Sequence, residues 1–288
     1  MRRAFLLWVL AACQGTAAFR ICSFNIQCFG EAKATNQRAM GVLVKIVTRC
    51  DICLVMEVRD AKGEAVALLI KELNRFDRSH RYSYVASERL GRGSYKEQYV
   101  FIYRSDTVKI THVHQYKDNQ ADDPDAFARE PLIVRFSSQT TAIKDFVLVS
   151  QHTCPKDAAR EIDELYDVFQ EIRKHWDMES VMFLGDLNAG CSYVPAKAWR
   201  TIRLRKKPGF HWLIGDHEDT TVRQKTHCAY DRIVVHGSEF YKAIVPGSAK
   251  PFNFREKFKL TEEEALEVSD HFPVEVQIKL DGAVRNEL

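Results

Sequence analysis

The sequence predicts one domain of the α/β class, built from large β-sheets that are covered by helices. Ten short, apolar and β-branched runs recur along the 288 residues, and their number and shortness imply large sheets. Helical segments with a single apolar stripe lie between these runs. Because no low-complexity linker or internal repeat divides the chain, we predict a single domain over residues 19–280.

The predicted elements follow each other as strands separated by helices. In chain order the strands are "RICSFNI", "ICLVMEV", "YSYVAS", "YVFIYR", "LIVRFSS", "FVLVSQH", "VMFLGDL", "FHWLIGD", "RIVVHG" and "VEVQIKL". Helices are predicted over residues 36–49, 63–74 and 157–176. In the last of these, apolar residues from Ile162 to Trp176 fall on one stripe opposite a charged face. Thr261 and Glu264 have the spacing of a capping box and predict one more short helix.

The first 18 residues have the layout of a cleaved secretory signal. Arg2 and Arg3 precede an apolar run, small residues follow it up to Ala18, and the run is too short to span a membrane. Cleavage after Ala18 would leave 288 − 18 = 270 residues. We therefore expect a protein secreted through the endoplasmic reticulum, without stable membrane association. Residues 281–288 would form a short C-terminal tail.

The net charge gives no indication of a polyanionic partner. The formal charge of +3 falls to +1 when Arg2 and Arg3 are removed, so such an interaction must depend on local patches. The clearest patch is "KAWRTIRLRKK", residues 197–207, which has six cations and no acid. This composition fits either a solvated helix and loop face or a phosphate-contacting surface.

Seven cysteines follow residue 18, and an odd number in an oxidising compartment leaves at least one of them outside the intramolecular disulfides. Cys191 and Cys228 lie in loop-like contexts, and we predict a disulfide between them. On the chain-entropy model this bond would stabilise the fold by about 4 kcal/mol. Cys50 and Cys53 have a metal-like spacing, but they fall in an apolar strand, where residues three apart point to opposite faces.

An acidic, turn-rich segment, "DNQADDPDAFARE", covers residues 118–130 between two predicted strands. Its carboxylates could bind Ca²⁺, which prefers hard oxygen ligands, or the segment could be a hydrated loop. The residues alone leave both alternatives open.

Several apolar strands end abruptly in acids, amides or histidines. These residues are Asn25, Glu57, His152, Asp186, Asn188, Asp231, Asp270 and His271. A single polar residue in such a position would be unremarkable. Because they come from six strand ends, we expect them to converge on one site at the rim of the sheets.

The residue types at this predicted site favour metal-assisted phosphodiester cleavage. Oxygen ligands, which favour Mg²⁺, Mn²⁺ or Ca²⁺ over Zn²⁺, are offered by Glu57, Asp186, Asp270 and Asn25. Each histidine has a carboxylate that could orient it, in Glu97 of "SYKEQY" or Asp231 of "AYDRIV". A hard metal that polarises a phosphoryl oxygen, together with two such pairs, can activate water and protonate a leaving oxygen.

Eight strings are spread over nearly the whole chain after residue 18: "FNIQCFGE", "MEVRDAKG", "LGRGSYKEQY", "FAREP", "HTCPKDA", "GDLNAGCSY", "HCAYDRIV" and "SDHFPVEV". In their order and spacing the chain resembles the deoxyribonuclease I family. The sequence is most similar to the deoxyribonuclease gamma branch. The resemblance implies a four-layer sandwich, in which two packed, mainly antiparallel sheets carry helices on both outer faces. It also implies a divalent-metal-dependent endonuclease that cuts double-stranded DNA to 5′-phosphate and 3′-hydroxyl ends.

The resemblance also implies roles for individual residues. Glu57, Asn25, Asp270 and Asp186 would hold the catalytic Mg²⁺ or Mn²⁺. The acid/base pairs would be Glu97 with His152 and Asp231 with His271, while Asn188 would orient phosphate or water. Whether Asp186 or a histidine takes the proton of the attacking water stays open. Arg59, Tyr95 and Arg129 would contact the DNA backbone, with "LGRGSY" entering the minor groove. Asp118, Asp125 and Glu130 would bind a structural or activating Ca²⁺.

Departures from the family pattern bear on the expected partners. Gln27 stands where deoxyribonuclease I has an arginine, and Ala86 and Leu132 replace residues that grip actin there. We therefore expect a monomer that acts on double-stranded DNA, naked or in chromatin, without strong actin binding. Related phosphoesterases share the metal and Asp-His elements, so the alternative substrate is a phospholipid or a sugar phosphate.

Overall fold

The structure is a computed structural model that describes residues 18–119 and 125–282. The predicted signal sequence lies outside the described residues except for Ala18, and so do residues 283–288 of the predicted tail. Part of the acidic segment, residues 120–124, lies outside them as well.

The ten predicted strands are all present, and the described residues contain two more. The strands are β1 (Phe19–Phe29), β2 (Ile52–Val58), β3 (Tyr82–Ala86), β4 (Gln98–Arg104), β5 (Lys109–Gln115), β6 (Leu132–Ser137), β7 (Asp145–His152), β8 (Val181–Asp186), β9 (Phe210–Trp212), β10 (Asp231–His236), β11 (Lys250–Pro251) and β12 (Val274–Ile278). The prediction omitted β5 and β11. β5 is a largely exposed edge strand whose sequence, "KITHVHQ", lacks an apolar run, and β11 has only two residues, one of them proline.

The four predicted helices are also present, among others that the sequence did not indicate. The helices are α1 (Glu31–Thr35), α2 (Gln37–Val47), α3 (Glu64–Phe76), α4 (Ala158–Trp176), α5 (Arg203–Lys206), α6 (Ser238–Ala243), α7 (Phe254–Lys257) and α8 (Glu262–Val268). Asn36 is the N-cap residue of α2, and its side chain accepts hydrogen bonds from two backbone amides of the first turn. Thr261 and Glu264 form the predicted capping box of α8.

The strands form two six-stranded sheets, and each sheet contains one parallel pair. The first sheet has the order β11-β12-β1-β2-β4-β3, and the second has the order β5-β6-β7-β8-β10-β9. The parallel pairs are β1 with β2 and β7 with β8, whereas the other neighbours are antiparallel. This confirms the predicted mainly antiparallel sheets.

The two sheets pack face to face, and helices cover both outer faces. The layer between the sheets includes Phe101 of β4 and Phe136 of β6, whose ring centroids are 5.8 Å apart. Helices α2, α3 and α8 cover the first sheet, while α4 covers the second. The four-layer sandwich is therefore confirmed. Among the described residues, no helix is long and apolar enough to cross a membrane.

Two disulfides link neighbouring segments. The predicted bond between Cys191 and Cys228 is present. A second bond joins Cys22 of β1 to Cys50, which lies just before β2 rather than within it. We did not predict this bond, because only the pairing of β1 with β2 brings the two cysteines together.

The basic segment 197–207 uses part of its charge within the fold. Arg203 is ion-paired with Asp163 and Asp167 of α4 at 2.8 and 2.6 Å. Arg205 lies over the rings of Trp199 and Trp212, with its guanidinium carbon 5.2 and 5.0 Å from the centroids. These two cations stabilise the packing around α5, so a phosphate-contacting surface would have to use the other four.

Candidate active site

The strand pairing brings the predicted polar residues to one edge of the sandwich. In the parallel pair β7–β8, His152 is the register partner of Asp186, because both strands end at that level. The antiparallel partner β10 begins there, and Asp231 lies opposite Asp186. Asn25 of β1 and Glu57 of β2 reach the same place from the other sheet, since Asn25 contacts both Glu57 and Asp186.

A glycine allows the close approach of β7 and β8 at this edge. Gly185 has a φ of +148°, and a Cβ atom on it would lie 1.8 Å from the carbonyl oxygen of Gln151. No side chain can be accommodated there without separating the strands. Gly185 therefore allows His152 and Asp186, one residue further along each strand, to lie beside each other.

The first histidine is held between two carboxylates. The Nδ1 atom of His152 is 2.6 Å from Oε1 of Glu97, and its Nε2 atom is 3.5 Å from Oδ2 of Asp186. Glu97 lies just before β4 and is almost completely buried. The backbone N–H of His152 donates to the hydroxyl of Tyr99 at 2.8 Å, which fixes the end of β7. The predicted pairing of Glu97 with His152 is therefore present.

The second histidine has the same arrangement on the opposite side of Asp186. The Nδ1 atom of His271 is 2.7 Å from Oδ2 of the fully buried Asp231, and its Nε2 atom is 3.6 Å from Oδ2 of Asp186. Asp270 lies nearby, with Oδ1 4.0 Å from the same Nε2 atom. Both rings thus turn Nδ1 toward a carboxylate that orients them and Nε2 toward Asp186.

Electrostatics favours charged forms at the centre of this cluster. Burial alone would raise the pKa of Asp186, but the imidazoles of His271 and His152 outweigh it and lower that pKa. Burial lowers the pKa of His271, yet Asp231 and Asp186 raise it well above the ordinary value of 6.5. The pKa of His152 is also raised, because Glu97 and Asp186 outweigh burial and the Arg129 guanidinium. Asp186 is therefore held as a carboxylate between two readily protonated rings.

The oxygen atoms at this edge fit a divalent metal. One Asn25 amide nitrogen lies 3.0 Å from Oε1 of Glu57 and 3.1 Å from Oδ2 of Asp186, so two carboxylates converge on the same point. Ligand atoms of Asp186, Asp231 and His271 also lie within 4.8 Å of one another. Carboxylates that converge in this way need a cation or hydrogen-bond donors, and the Asn25 amide supplies one such donor here. The carboxylates suit a hard ion, whereas Asn25 turns its amide nitrogen toward them and its Oδ1 atom accepts the N–H of Gln27 at 2.9 Å.

The predicted residues Asn188 and Asp270 have different surroundings. The backbone N–H of Asn188 donates to Oδ1 of Asp186 at 3.0 Å, and its side-chain amide donates to the carbonyl of Thr153 at 3.0 Å. Asn188 therefore orients Asp186 directly. Asp270 is partly exposed beside His271, where its carboxylate faces the same cluster.

The three residues that were predicted to contact the DNA backbone lie near the cluster. Arg129 donates from Nε to the carbonyl of His152 at 2.8 Å and lies 3.3 Å from Oε1 of Glu97. Its Nη2 atom is buried and has no protein partner. Arg59 lies over the exposed ring of Tyr95, 4.1 Å from the centroid. Arg129 therefore supports the Glu97–His152 pair from inside the fold, whereas the exposed guanidinium of Arg59 is placed to bind a phosphate oxygen.

The predicted calcium ligands do not form a ready site among the described residues. Oδ2 of Asp118 accepts the backbone N–H of Phe127 at 2.7 Å, and Asp125 is ion-paired with Arg92 at 3.2 Å. Glu130 does not join them in a group of converging ligand atoms within the described ranges. Binding of Ca²⁺ by these three residues stays a prediction.

Some residues that support the site were missed by sequence reasoning. Glu161 of α4 is buried and accepts hydrogen bonds from the side-chain amide of Gln151 at 2.9 Å and from the backbone N–H of Cys154 at 3.0 Å. It therefore fixes the chain on both sides of His152. Lys33 of α1 donates to three backbone carbonyls next to the metal-binding edge. These bonds join distant segments, and no local sequence pattern indicates them.

The fold and the site together define a phosphoesterase sandwich of one family. Residues 22–271 match the family model described as "Endonuclease/Exonuclease/phosphatase family", and the chain belongs to this family. It is 50% identical to deoxyribonuclease gamma of Homo sapiens over 282 residues, which is 98% of this chain and 92% of that protein. It is 48% identical to deoxyribonuclease-1 of Sus scrofa, over 97% of this chain and 99% of that protein.

Solved structures of more distant proteins share the fold. An endonuclease/exonuclease/phosphatase from Bacteroides vulgatus superposes with a TM-score of 0.63 at 15% identity, covering 92% of this chain and all of that one. A mannosyl-6-phosphatase from Bacteroides thetaiotaomicron superposes with a TM-score of 0.56 at 14% identity, covering 90% and 98%. At these identities the comparison shows the fold alone.

Proposed function

We propose that the protein is a divalent-metal-dependent endodeoxyribonuclease that hydrolyses phosphodiester bonds of double-stranded DNA with little sequence specificity, leaving 5′-phosphate and 3′-hydroxyl ends. The observation that carries this proposal is the placement of Asp186 between two histidines, each oriented by its own carboxylate. The relatives that are about half identical over nearly the full chain are named deoxyribonucleases.

The two histidine units supply the proton transfers of hydrolysis. One imidazole can take a proton from the attacking water while the other donates a proton to the leaving oxygen, since their Nε2 atoms face the same carboxylate. Glu97 and Asp231 hold the rings in the required orientation. Glu57, Asp186, Asp270 and Asn25 would hold the metal, which we propose to be Mg²⁺ or Mn²⁺. When bound, it would polarise a phosphoryl oxygen.

The border of the site is suited to a nucleic-acid backbone. Arg59 presents its guanidinium on the exposed ring of Tyr95, and Arg129 adds a positive charge beside Glu97. Contacts to phosphates position a duplex without reading bases, so weak sequence preference and salt-sensitive binding follow. We further propose a Ca²⁺ with a structural or activating role, bound by the segment that contains Asp118, Asp125 and Glu130.

The proposal on the cellular setting rests on sequence features. We propose a secreted monomer that acts on DNA, naked or in chromatin, without stable membrane association or strong actin binding. The signal-like residues 1–18 and the two disulfides support secretion, because disulfides persist in oxidising compartments.

Digestion of supercoiled plasmid and of chromatin, with Mg²⁺, Ca²⁺, both ions or EDTA, tests the proposal. We expect nicking that needs a divalent ion, ends that a ligase can join, and inhibition by EDTA. Parallel assays would measure release of phosphocholine from sphingomyelin and of phosphate from sugar phosphates. Turnover in those assays without DNA cleavage would instead assign the protein to the alternative substrates.

A further inference from the structure

Lys33, which the catalytic scheme does not use, joins two distant segments behind the metal-binding edge. It lies on the short helix α1, and its Nζ atom donates to the carbonyl oxygens of Ile26, Gln27 and Val268 at 2.8, 2.6 and 2.8 Å. An ammonium group has three N–H donors and no acceptor. All three donors are therefore satisfied by backbone carbonyls of two segments that lie far apart in the sequence.

These carbonyls lie next to the metal-binding side chains of both segments. Ile26 and Gln27 directly follow Asn25, while Val268 is two residues before Asp270. Ser269 adds a second connection, since its hydroxyl donates to the carbonyl of Asn25 at 2.6 Å and accepts the N–H of His271 at 3.0 Å. The ammonium and this hydroxyl together fix the distance between the two segments.

Lys33 also holds the bend that reaches the third metal-binding residue. Gln27 and Cys28 have φ values of 44° and 55°, which non-glycine residues seldom adopt because of steric strain. The bend directs the backbone N–H of Cys28 to Oε2 of Glu57 at 3.0 Å. The bonds from Lys33 to the two carbonyls before Cys28 stabilise this conformation, so the orientation of Glu57 depends on them.

The charge of Lys33 acts on the same carboxylates without occupying their oxygen atoms. Burial lowers the pKa of the ammonium, while the nearby Cys28, Asp270 and Glu57 counteract that effect. Because the three N–H groups bind carbonyls, the oxygens of Glu57 and Asp270 remain free of this donor. Because a positive charge beside the site by itself disfavours a bound cation, the contribution of Lys33 to metal binding must come from the positions in which its hydrogen bonds hold the ligands.

We propose that Lys33 is a positioning residue for the divalent-metal site. Its hydrogen bonds hold Asn25, Glu57 and Asp270 in the arrangement that binds the ion. The inference rests on the proposed metal-dependent function. It predicts that removal of the ammonium weakens metal binding more than it weakens the fold. Changes in residues behind a metal site typically reduce metal affinity roughly 10- to 100-fold.

Metal binding measured without DNA tests this role. The rise in melting temperature with increasing Mg²⁺ or Mn²⁺ gives the half-saturating concentration for the unaltered protein, for Lys33→Met and for Lys33→Arg. We expect the half-saturating metal concentration to rise roughly 10- to 100-fold for Lys33→Met and less for Lys33→Arg, which keeps N–H donors for the backbone carbonyls. Lys71→Met, on the exposed face of α3, is the matched control and should leave the half-saturating concentration unchanged.

The outcomes separate this inference from the proposed function. If Lys33→Met melts at a lower temperature in EDTA but binds metal as the unaltered protein does, Lys33 is only structural and the inference fails. If Lys33→Met does not fold, Lys33→Arg takes its place: metal binding equal to that of the unaltered protein would again mean that the inference fails. An unaltered protein that binds Mg²⁺ but leaves DNA intact would overturn the deoxyribonuclease proposal, while the effect of Lys33 on metal affinity would still stand. Plasmid nicking at saturating metal should recover in Lys33→Met, which a lost catalytic group would not allow.

Discussion

The Oδ2 atom of Asp186 lies 3.5 Å from Nε2 of His152, and on its other side the same oxygen lies 3.6 Å from Nε2 of His271. A substrate phosphate that reaches Asp186 therefore meets an imidazole on each side. We predict that His152→Ala and His271→Ala each reduce plasmid nicking by about 10²- to 10⁴-fold, because each removes one proton-transfer group. Initial rates on supercoiled plasmid measure this effect.

His217 provides the control for these substitutions. Its side chain is 88% exposed, so His217→Ala should nick plasmid at the rate of the unaltered protein. Melting curves of all three variants would establish that they are folded. Near-normal nicking by both His152→Ala and His271→Ala would exclude the proposed proton transfers.

Glu97 acts through His152, and this dependence can be measured as a coupling. Glu97→Gln removes the carboxylate that orients the ring at 2.6 Å, so we expect a large loss of rate. In the double variant with His152→Ala, the second change should add little, because residues that act as a unit are strongly non-additive. A double-mutant cycle of nicking rates measures the coupling, and additive losses would contradict a shared role.

The site residues were accessible to sequence reasoning because each interrupts a local pattern. Asp186 and His152 are polar residues at the ends of apolar strands, and this contrast is visible without knowing the fold. Glu161 and Lys33 have no such signature, since they bind backbone groups brought close only by tertiary structure. The predicted strands likewise depended on apolar runs, so the exposed edge strand β5 was missed.

The disulfide between Cys22 and Cys50 illustrates the same limit. Its two cysteines become neighbours only through the parallel pairing of β1 and β2. We predict that replacing both by alanine lowers the free energy of unfolding by roughly 2 to 5 kcal/mol, because the denatured chain regains the freedom of an open loop. Urea unfolding measures the change, with the Cys191→Ala, Cys228→Ala pair for comparison. An unchanged unfolding midpoint would show that the bond does not constrain the denatured chain.

Glu161 should make the stability depend on pH. Burial raises its pKa from 4.5 to about 7, although hydrogen bonds from the N–H groups of Cys154 and Ala128 and the Arg129 guanidinium act in the opposite direction. The folded state then binds the proton more tightly than the unfolded state. The resulting contribution of Glu161 to the free energy of unfolding is complete below pH 4.5 and is lost as the pH rises through about 7. The loss is about 3 kcal/mol at most.

Glu161→Gln removes this titration and tests it. The amide can still accept the two backbone N–H groups, and rotation of Gln151 would present its buried, unpartnered Oε1 atom to the new donor. We expect the unfolding free energy of the variant to fall less between pH 5 and pH 8 than that of the unaltered protein, measured as in the disulfide experiment. Equal pH dependence of the two proteins would show that Glu161 is ionised throughout.

The thiols should differ sharply in reactivity. Cys28 is exposed, and its sulfur lies 3.5 Å from both Oε2 of Glu57 and Nη1 of Arg59. Burial raises the pKa of Cys53 to about 12, so this thiol should react only after unfolding. We predict that iodoacetamide labels Cys28 in the folded protein and reduces nicking, because the added group displaces Glu57 or Arg59. Peptide mass spectrometry locates the label.

Cys28→Ser is the matched variant for this experiment. It should keep its activity and lose its sensitivity to iodoacetamide. Inactivation of Cys28→Ser at the rate of the unaltered protein would place the responsible thiol elsewhere, with the partly exposed Cys154 as the next candidate.

The pairing of β12 with β1 joins the last strand of the described residues to the first. Asp270 and His271 precede β12 directly, so the site lacks a histidine and a carboxylate until these residues have been synthesised and docked. A nascent or truncated chain that ends before residue 269 contains Glu97, His152 and Asp186, but it has no histidine to pair with Asp231. An enzyme that destroys DNA would thus stay inert during its own synthesis, and completion of the chain would serve as its activation step.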